Sequence, residues 1–293
     1  MSDRLEFTVG EASDGVSCRS FLRSNGVSAR LIGRLKRIDG GITLRGGLLR
    51  SIDPVRSGDV VVLTLPSEDA LNGTSGSVPV KYEDEALIIY DKPCGMPVHP
   101  SAKHLDDTLG NIFASAHPDR KFRCINRLDL DTSGLCLVAK NAYAAAVLPK
   151  STKKVYYAVV RGNIAEGGVI EAPIGAAEDS ISKRAVCEDG QYAYTEYMPI
   201  LQSNGYTLLR VVIKTGRTHQ IRVHFSYMGY PLAGDALYGG DLSIMKRQAL
   251  HCGEMRLIHP MSGSEITAES PLPADMRGLL GIDESTAMDI VKE

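Results

Sequence analysis

The sequence predicts an α+β fold built on a mixed, largely antiparallel sheet. Apolar runs that favour β-strands recur along the chain, and the helical segments between them lack the regular strand–helix–strand alternation of a parallel sheet. The 293 residues are 43% hydrophobic, which is enough to bury a sizeable core and to form two domains of unequal size.

Composition narrows the class of protein. The 33 Lys and Arg residues nearly balance the 35 Asp and Glu residues, so any contact with nucleic acid must come from local basic patches. The six cysteines show no paired C-x-x-C spacing, which predicts buried free thiols in a reducing compartment rather than a zinc site or a disulfide framework. The first residues do not resemble a secretion signal, and no apolar stretch has the length of a membrane helix. We therefore expect a cytoplasmic protein without a membrane partner.

The N-terminal region concentrates positive charge. Eight basic residues and one acidic residue lie between positions 19 and 50. Arg30, Arg34 and Arg37 are spaced three or four apart, which places them on one face of a predicted helix whose other face is apolar. Short strands are predicted after this helix, over 42–45 and 60–63. We name Arg30, Arg34 and Arg37 the basic ridge; the scarcity of acidic partners favours phosphate contact over a merely solvated face.

A polar stretch rich in glycine and serine follows at 67–78. Such a composition buries too little apolar surface to order itself, which predicts a flexible linker. The domains are therefore predicted as 1–66 and 79–293, able to move independently until RNA engages both.

The second region carries most of the predicted elements. The tail beyond residue 275 is acidic and weakly patterned, which predicts a short helix or a frayed end. Asn141 is a predicted helix N-cap. The predicted strands cover 86–90, 154–161, 192–198 and 206–213, the helices cover 108–116, 141–148 and 220–228, and a hairpin-like region covers 162–175.

One stretch in this region, residues 123–140, reads as a short strand, a tight polar loop and a second apolar strand. The loop carries Arg127, Asp129 and Asp131 between two buried elements. Loops held by rigid strands often carry catalytic groups, because the strands fix geometry while the loop gives access to substrate. On the residues alone, an ordinary solvated turn fits equally well.

Residues 126–134 read N-R-L-D-L-D-T-S-G, which resembles the H-R-L-D-x-x-T-S-G signature of the large-subunit-type (RluA-like, RluD-like) RNA pseudouridine synthases. We call these residues the signature loop. Further similar motifs lie in order at 91–99, 154–160, 215–224, 248–251 and 259–260. The resemblance covers about residues 80–273, and residues 15–65 resemble an S4-like RNA-binding module. It implies a catalytic domain with a central cleft and a small N-terminal S4-like α/β domain.

The resemblance also implies the chemistry. Pseudouridine formation breaks the uridine N-glycosidic bond, rotates the bound uracil and rejoins it through carbon, with no metal and no redox cofactor. By match to the motifs, Asp129 is the catalytic carboxylate, as a nucleophile or by assisting loss of the base, and Arg222 is the cation beside it. Tyr156 matches the active-site tyrosine, whose ring can stack on uracil. RNA contacts are expected from Arg127, Thr132, Arg217, His219, Gln220 and the ridge residues Arg30, Arg34 and Arg37.

Two alternatives remain open at this point, and a zinc site is not favoured. Asn126 replaces the family's usual histidine and cannot titrate near neutral pH, so a non-catalytic RNA-binding or ribosome-assembly factor has some support. Asp129 and Asp131 together are reminiscent of the paired carboxylates of a glycosidase. His219 and His224 are five apart, a poor helical spacing for zinc. We favour a monomeric synthase that flips its target uridine, most readily in large-subunit ribosomal RNA, with transfer RNA as another candidate.

Overall fold

The structure is a computed structural model that describes residues 4–65, 71–177 and 180–292. The described strands are β1 (Arg4–Thr8), β2 (Ile42–Leu44), β3 (Gly47–Leu48), β4 (Val60–Thr64), β5 (Val80–Glu83), β6 (Leu87–Lys92), β7 (Arg123–Cys124), β8 (Ser133–Ala139), β9 (Lys153–Arg161), β10 (Gly168–Glu171), β11 (Ile174–Ala177), β12 (Ser180–Val186), β13 (Tyr194–Ser203), β14 (Tyr206–Ile213), β15 (Leu250–Ile258) and β16 (Glu265–Glu269). The described helices are α1 (Cys18–Ser24), α2 (Ala29–Leu35), α3 (Leu109–Ala116), α4 (Ala142–Ser151), α5 (Gln220–Tyr227), α6 (Ala274–Leu280) and α7 (Glu284–Lys292).

The N-terminal part places α1 and α2 beside a sheet of order β1-β4-β2-β3. Ser17 and Ser28 cap the two helices by accepting the N–H of the third residue that follows. As predicted, α2 buries its apolar face and leaves Arg30 and Arg34 exposed. Arg37 is exposed too, but it lies beyond the end of α2, in the turn that leads to β2.

The predicted linker is only partly described. Residues 67–70 lie outside the described residues, whereas 71–78 run along α3. The Asn111 side chain donates to the Asn72 carbonyl at 2.8 Å, and the Thr74 N–H donates to the Asn111 carbonyl at 3.2 Å. Val78 is buried in the core of the large sheet. This portion is therefore anchored on the catalytic region, because its own backbone groups and Val78 find partners there, and the predicted flexibility does not extend to it.

The N-terminal part also packs on helix α4. The Tyr143 ring lies within the N-terminal core, 5.2 Å from the Phe7 ring in an edge-to-face arrangement. Its hydroxyl donates to the Asn25 carbonyl at 2.9 Å. The two parts thus share a core in this structure, which differs from the independent movement predicted from composition; the domain boundaries themselves stay a prediction.

The large sheet has the order β10-β13-β14-β9-β15-β8-β6-β5, with β16 added to β15 and β7 added to β8. Its described pairings are antiparallel except for β8 with β15, which run parallel with His251 opposite Ser133. The sheet is therefore mixed and largely antiparallel, which confirms the predicted class. Because β8 is buried along its whole length, it fixes the end of the signature loop that precedes it.

Most predicted elements of the second region are present within a few residues of their predicted bounds. Asn141 caps α4 by accepting the Ala144 N–H, as predicted. The predictions omitted β5, β12, β15 and β16. The tail contains two helices, α6 and α7, because Met276, Leu280 and Ala287 are buried. The cysteines are free. The expectation that they are buried holds for Cys18, Cys136 and Cys252, but Cys124 and Cys187 are only partly buried and Cys94 is exposed. No described helix is long and apolar enough to span a membrane.

Candidate active site

The signature loop is fixed to the strands that flank it. The buried Asn126 amide donates to the Leu135 carbonyl at 3.0 Å and accepts the Leu137 N–H at 2.8 Å, so it acts as one more rung against β8. The Thr132 N–H closes a turn onto the Asp129 carbonyl at 3.1 Å. Asparagine at this position therefore orders the loop, which removes the main support for a non-catalytic relative of this fold.

A buried lysine holds the outer part of the same loop. The Lys92 ammonium donates to the carbonyls of Pro93 at 2.8 Å, Met96 at 2.8 Å and Leu130 at 3.1 Å. Burial lowers the pKa of Lys92 to about 8, although Asp131 and Asp129 partly oppose this change. The three carbonyls replace the water that the ammonium group would otherwise bind.

Asp129 lies at the centre of the site, with its side chain 27% exposed to the cleft. Its Oδ2 accepts a hydrogen bond from Arg222 Nη1 at 2.9 Å. Arg222 is also paired with the fully buried Asp235, through Nε to Oδ2 at 2.7 Å and Nη2 to Oδ1 at 2.8 Å. Burial alone would lower the pKa of Arg222, but the hydrogen bonds and charges of Asp235 and Asp129 raise it well above its usual value. The guanidinium group thus stays charged beside Asp129.

Arg222 reaches this position because α5 begins at the rim of the cleft. His219, just before the helix, has a left-handed backbone (φ 57°), and its Nε2 lies 3.9 Å from Asp129 Oδ2. Burial lowers the pKa of His219, while Asp129 and Arg222 act in opposite directions on it. His219 is therefore neutral near physiological pH and faces the carboxylate as a neutral ring.

The cleft has a volume of about 590 Å³. Its lining includes Tyr156, Asp129 and Arg222, together with two further arginines, the exposed Arg127 and the half-buried Arg217. Arg217 is held by the Tyr192 carbonyl at 2.9 Å. Burial raises the pKa of Tyr156 well above its usual value, so its hydroxyl is protonated at neutral pH. The structure thus brings the predicted catalytic residues and five of the predicted RNA contacts, Arg127, Thr132, Arg217, His219 and Gln220, to one cavity.

Two of the predicted RNA contacts, Gln220 and Thr132, are buried in the cleft wall. Gln220 is buried, its Oε1 accepts from Thr215 Oγ1 and the Arg217 N–H, and its Nε2 donates to the Tyr194 carbonyl and Thr195 Oγ1. Thr132 is also buried and accepts from Gln248 Nε2 at 3.2 Å. Both residues line the cleft, and these hydrogen bonds inside the protein support its wall; their contact with RNA stays a prediction.

The glycosidase alternative requires two carboxylates in one site, but Asp131 lines a different cavity of about 820 Å³ next to Arg247. The ring nitrogens of His224, which was weighed as a zinc ligand, have hydrogen-bond partners within the protein. His224 is bonded through Nδ1 to Thr195 Oγ1 and through Nε2 to the Ala172 carbonyl. Within the described ranges there is no group of three or more His, Cys, Asp or Glu side chains placed to hold a metal ion.

Sequence reasoning missed Asp235, Tyr238 and Lys92 as parts of the site. Asp235 and Tyr238 lie in a glycine-rich turn that spacing alone assigns to the surface, and a lysine at a strand end normally points to solvent. Proximity to Arg222 and His219 comes from the tertiary fold. The one signal in the sequence was the placement of Asp235 directly after an apolar run that ends in Gly234.

The arrangement suits chemistry at an uncharged glycosidic bond. A carboxylate held by a permanent cation can approach the sugar carbon without a free negative charge being buried. A protonated tyrosine offers a flat ring and a hydrogen-bond donor on the cleft wall. The fold and the site therefore fit a class of enzyme that acts on the bond between a nucleobase and its sugar.

Comparison with known proteins gives the particular family. Residues 86–227 match the family described as RNA pseudouridylate synthase. The chain is 37% identical to "Ribosomal large subunit pseudouridine synthase D" of Pseudomonas aeruginosa, over 93% of this chain and 92% of that protein. It belongs to the RNA pseudouridine synthase family and is an isomerase of the large-subunit, RluA-like type.

Two further comparisons agree with this assignment. The chain is 38% identical to "Ribosomal large subunit pseudouridine synthase D" of Nitrosomonas europaea, over 75% of this chain and 70% of that protein. The solved structure "Human RNA Pseudouridylate Synthase Domain Containing 1" superposes with a TM-score of 0.59 at 23% identity, covering 75% of this chain and 97% of that one. The second likeness supports the fold.

Proposed function

We propose that this enzyme isomerises specific uridines of large-subunit ribosomal RNA to pseudouridine, with Asp129 as its catalytic carboxylate. The observation that carries the proposal is the 2.9 Å contact between Asp129 Oδ2 and Arg222 Nη1 within the cleft. Ribosomal RNA is the proposed substrate because relatives similar over most of this chain are named as synthases of the ribosomal large subunit.

In this proposal the target uridine is flipped out of the RNA and enters the cleft. The cleft volume of about 590 Å³ falls within the range of about 300–1,000 Å³ typical of small-ligand sites. The C1′–N1 bond breaks with its electron pair leaving on uracil, while Asp129 either bonds to C1′ or takes a proton from the sugar. Tyr156 stacks on the uracil ring as it turns. C5 then bonds to C1′ while the C1′–Asp129 bond breaks, or while Asp129 returns its proton to the sugar. C5 finally releases its proton to solvent and N1 takes one up, so that the isomerisation has no net proton change.

RNA outside the cleft is proposed to bind two groups of arginines. Arg127 and Arg217 lie at the cleft edge, where a flipped nucleotide leaves its neighbours exposed. Arg30 and Arg34 project from one face of α2, and Arg37 follows in the next turn. We propose that the N-terminal part is an S4-like RNA-binding domain that uses this ridge on phosphate groups, and that the protein acts as a monomer.

The test of the chemistry is to incubate the purified protein with unmodified ribosomal RNA and to map pseudouridine. The wild type should form pseudouridine at defined sites, and Asp129→Ala should lower the single-turnover rate by at least about 10⁴-fold. Asp131→Ala is the matched control, since it removes a carboxylate two residues away that faces the other cavity. No product from the wild type, or equal rates for wild type and Asp129→Ala, would exclude the proposal. If pseudouridine formed on transfer RNA alone, the proposed substrate would be wrong, while the proposed isomerisation would stand.

The test of the ridge is the salt dependence of RNA binding. Replacing Arg30 and Arg34 with Gln should reduce the slope of log affinity against log salt by about 0.7–0.9 for each phosphate group that the protein no longer neutralises. The single-turnover rate at saturating RNA should stay unchanged, because neither residue lies near the cleft. An unchanged slope would remove the ridge from the RNA interface.

A further inference from the structure

A tight turn behind the cleft, residues 234–239, contacts both Arg222 and His219. Gly234 has a left-handed backbone (φ 71°), and a Cβ at this position would collide with the carbonyl oxygens of Arg247 and Met245. The Gly240 N–H donates to the Asp235 carbonyl at 2.7 Å and closes the turn. Its conformation is therefore fixed by backbone packing, independently of any substrate.

Asp235 and Tyr238 of this turn are buried, and neither is among the residues that line the cleft. Asp235 holds the Nε and Nη2 edge of Arg222, which leaves Nη1 free to point at Asp129. A bidentate carboxylate fixes both the position and the plane of a guanidinium group. The direction of Arg222 is thus set from behind by Asp235.

Tyr238 acts in the same way on His219. Its hydroxyl accepts the Arg184 N–H at 3.0 Å and lies 2.8 Å from His219 Nδ1. Because the hydroxyl already accepts the Arg184 N–H, its own proton is available to Nδ1, and this arrangement places the proton of the neutral imidazole on Nε2. That Nε2–H group faces Asp129 Oδ2 at 3.9 Å. The Tyr238 ring also lies under the Arg222 guanidinium, 5.0 Å from its centroid.

We propose that Asp235 and Tyr238 are positioning residues, which keep Arg222 and the Nε2–H tautomer of His219 in place while the charge of Asp129 changes. The inference rests on the proposed function. Asp129 loses its negative charge when it bonds to C1′ or takes a proton, and Arg222 would then lack a counter-ion without Asp235. With Asp235 present the guanidinium group has no cause to move, so the site returns to its starting geometry for the next turnover.

The first experiment compares two aspartates that pair with arginine in the same manner. Asp275 binds Arg247 through Nε to Oδ2 at 2.6 Å and Nη2 to Oδ1 at 2.8 Å, away from the cleft. Asp235→Asn should lower the single-turnover rate on ribosomal RNA by about 10- to 100-fold with unchanged RNA affinity, because it loosens Arg222 without touching RNA. Asp275→Asn should change the rate less than about threefold. A rate for folded Asp235→Asn within threefold of wild type, or equal losses in both variants, would overturn the inference.

The second experiment follows the histidine itself. In the ¹⁵N spectrum of the full-length protein, the His219 signals, assigned with His219→Gln, should show a protonated Nε2 and an unprotonated Nδ1. Tyr238→Phe keeps the ring under Arg222, and it should give a mixture of tautomers and a rate lowered by about 3- to 10-fold. A proton on Nδ1 in the wild type, or an unchanged rate in Tyr238→Phe, would refute the role of Tyr238.

These results are separable from the proposed function. If the wild type forms no pseudouridine, that function fails, while the tautomer of His219 still decides whether the turn positions it. If Asp235→Asn does not fold, the rate and spectrum of Tyr238→Phe decide the inference alone. If the wild type is active and both variants match it, only the positioning roles are lost.

Discussion

Two arginines, Arg222 and Arg247, reach the signature loop with the same geometry, but one meets a carboxylate there and the other meets a backbone carbonyl. Arg222 and Arg247 are each held by an aspartate through Nε and Nη2, which leaves Nη1 for the loop. Nη1 of Arg222 meets the carboxylate of Asp129 in the cleft, at 2.9 Å. Nη1 of Arg247 meets the backbone carbonyl of Asp131 at 3.2 Å, beside the second cavity.

The two arginines differ in the charge of the groups around them, which gives them different proposed roles. Arg247 also donates to the carbonyls of Gln248 and Leu250, so all its backbone contacts are with neutral groups. Asp275 balances its charge. Arg222 lies between two carboxylates, one buried and one facing substrate. The same ion-pair geometry thus stabilises a loop at one place and, in the proposed mechanism, supplies the carboxylate of Asp129 with its counter-ion at the other.

The largest effect should follow from Arg222→Met. We expect a rate loss on the order of 10²–10³-fold, because Asp129 loses its counter-ion, and a loss of about 3–5 kcal/mol in unfolding free energy, because Asp235 is left buried without a partner. The double variant Arg222→Met with Asp235→Leu should regain much of the stability and none of the activity. Denaturant unfolding and single-turnover kinetics measure the two effects, and a double variant that regains activity would show that Arg222 has no part in the chemistry.

Arg247→Met should reverse the order of the two effects. Three carbonyls and Asp275 lose a donor, which we expect to lower the unfolding free energy by about 3 kcal/mol. The rate of the folded protein should stay within about tenfold of wild type, since Asp129 and Arg222 keep their contact. If Arg247→Met, while folded, reduced the rate as much as Arg222→Met, the two arginines would not divide the work as stated.

Acid should act mainly on the Arg247 side of the loop. His251, near Arg247, receives Ser133 Oγ–H at Nδ1 (2.9 Å) and donates from Nε2 to the Ser270 carbonyl (3.2 Å), which joins β15 to the end of the signature loop. Burial lowers its pKa to about 4, below the value of about 6.5 in an unfolded chain. The unfolded chain therefore takes up the proton first, so this contribution to stability is complete above pH 6.5 and is lost as the pH falls towards 4, by up to about 3 kcal/mol.

His251→Gln provides the control for this pH dependence. Glutamine can keep a donor and an acceptor at the site but does not titrate. The unfolding free energy of the variant should therefore fall less between pH 7 and pH 4.5 than that of the wild type. The other buried histidines contribute equally to both proteins, so parallel curves would remove His251 from the acid response.

Local patterns and motifs predicted the elements and the principal residues of the site, and prediction failed where long-range contacts decide. The strands around the signature loop follow from local apolar patterning, and Asp129, Arg222 and Tyr156 follow from motifs. Asp235 could not be placed, because a bidentate contact across 13 residues depends on how α5 and the 234–239 turn pack together. The burial of Thr132 and Gln220 could not be predicted for the same reason: a polar residue in a loop looks exposed until its partners are known.

The smallest effect is expected from Thr132. Thr132 Oγ1 accepts from Gln248 Nε2 at 3.2 Å, next to Arg247 on the supporting side of the loop. Thr132→Val preserves shape and leaves the buried Gln248 amide without this acceptor, which should lower the unfolding free energy by about 1–2 kcal/mol. RNA affinity and single-turnover rate should stay within about twofold of wild type, because Thr132 is buried and valine keeps the shape of the cleft wall. Weaker RNA binding at unchanged stability would show instead that Thr132 contacts RNA, and it would then belong with Asp129 and Arg222 and not with Arg247.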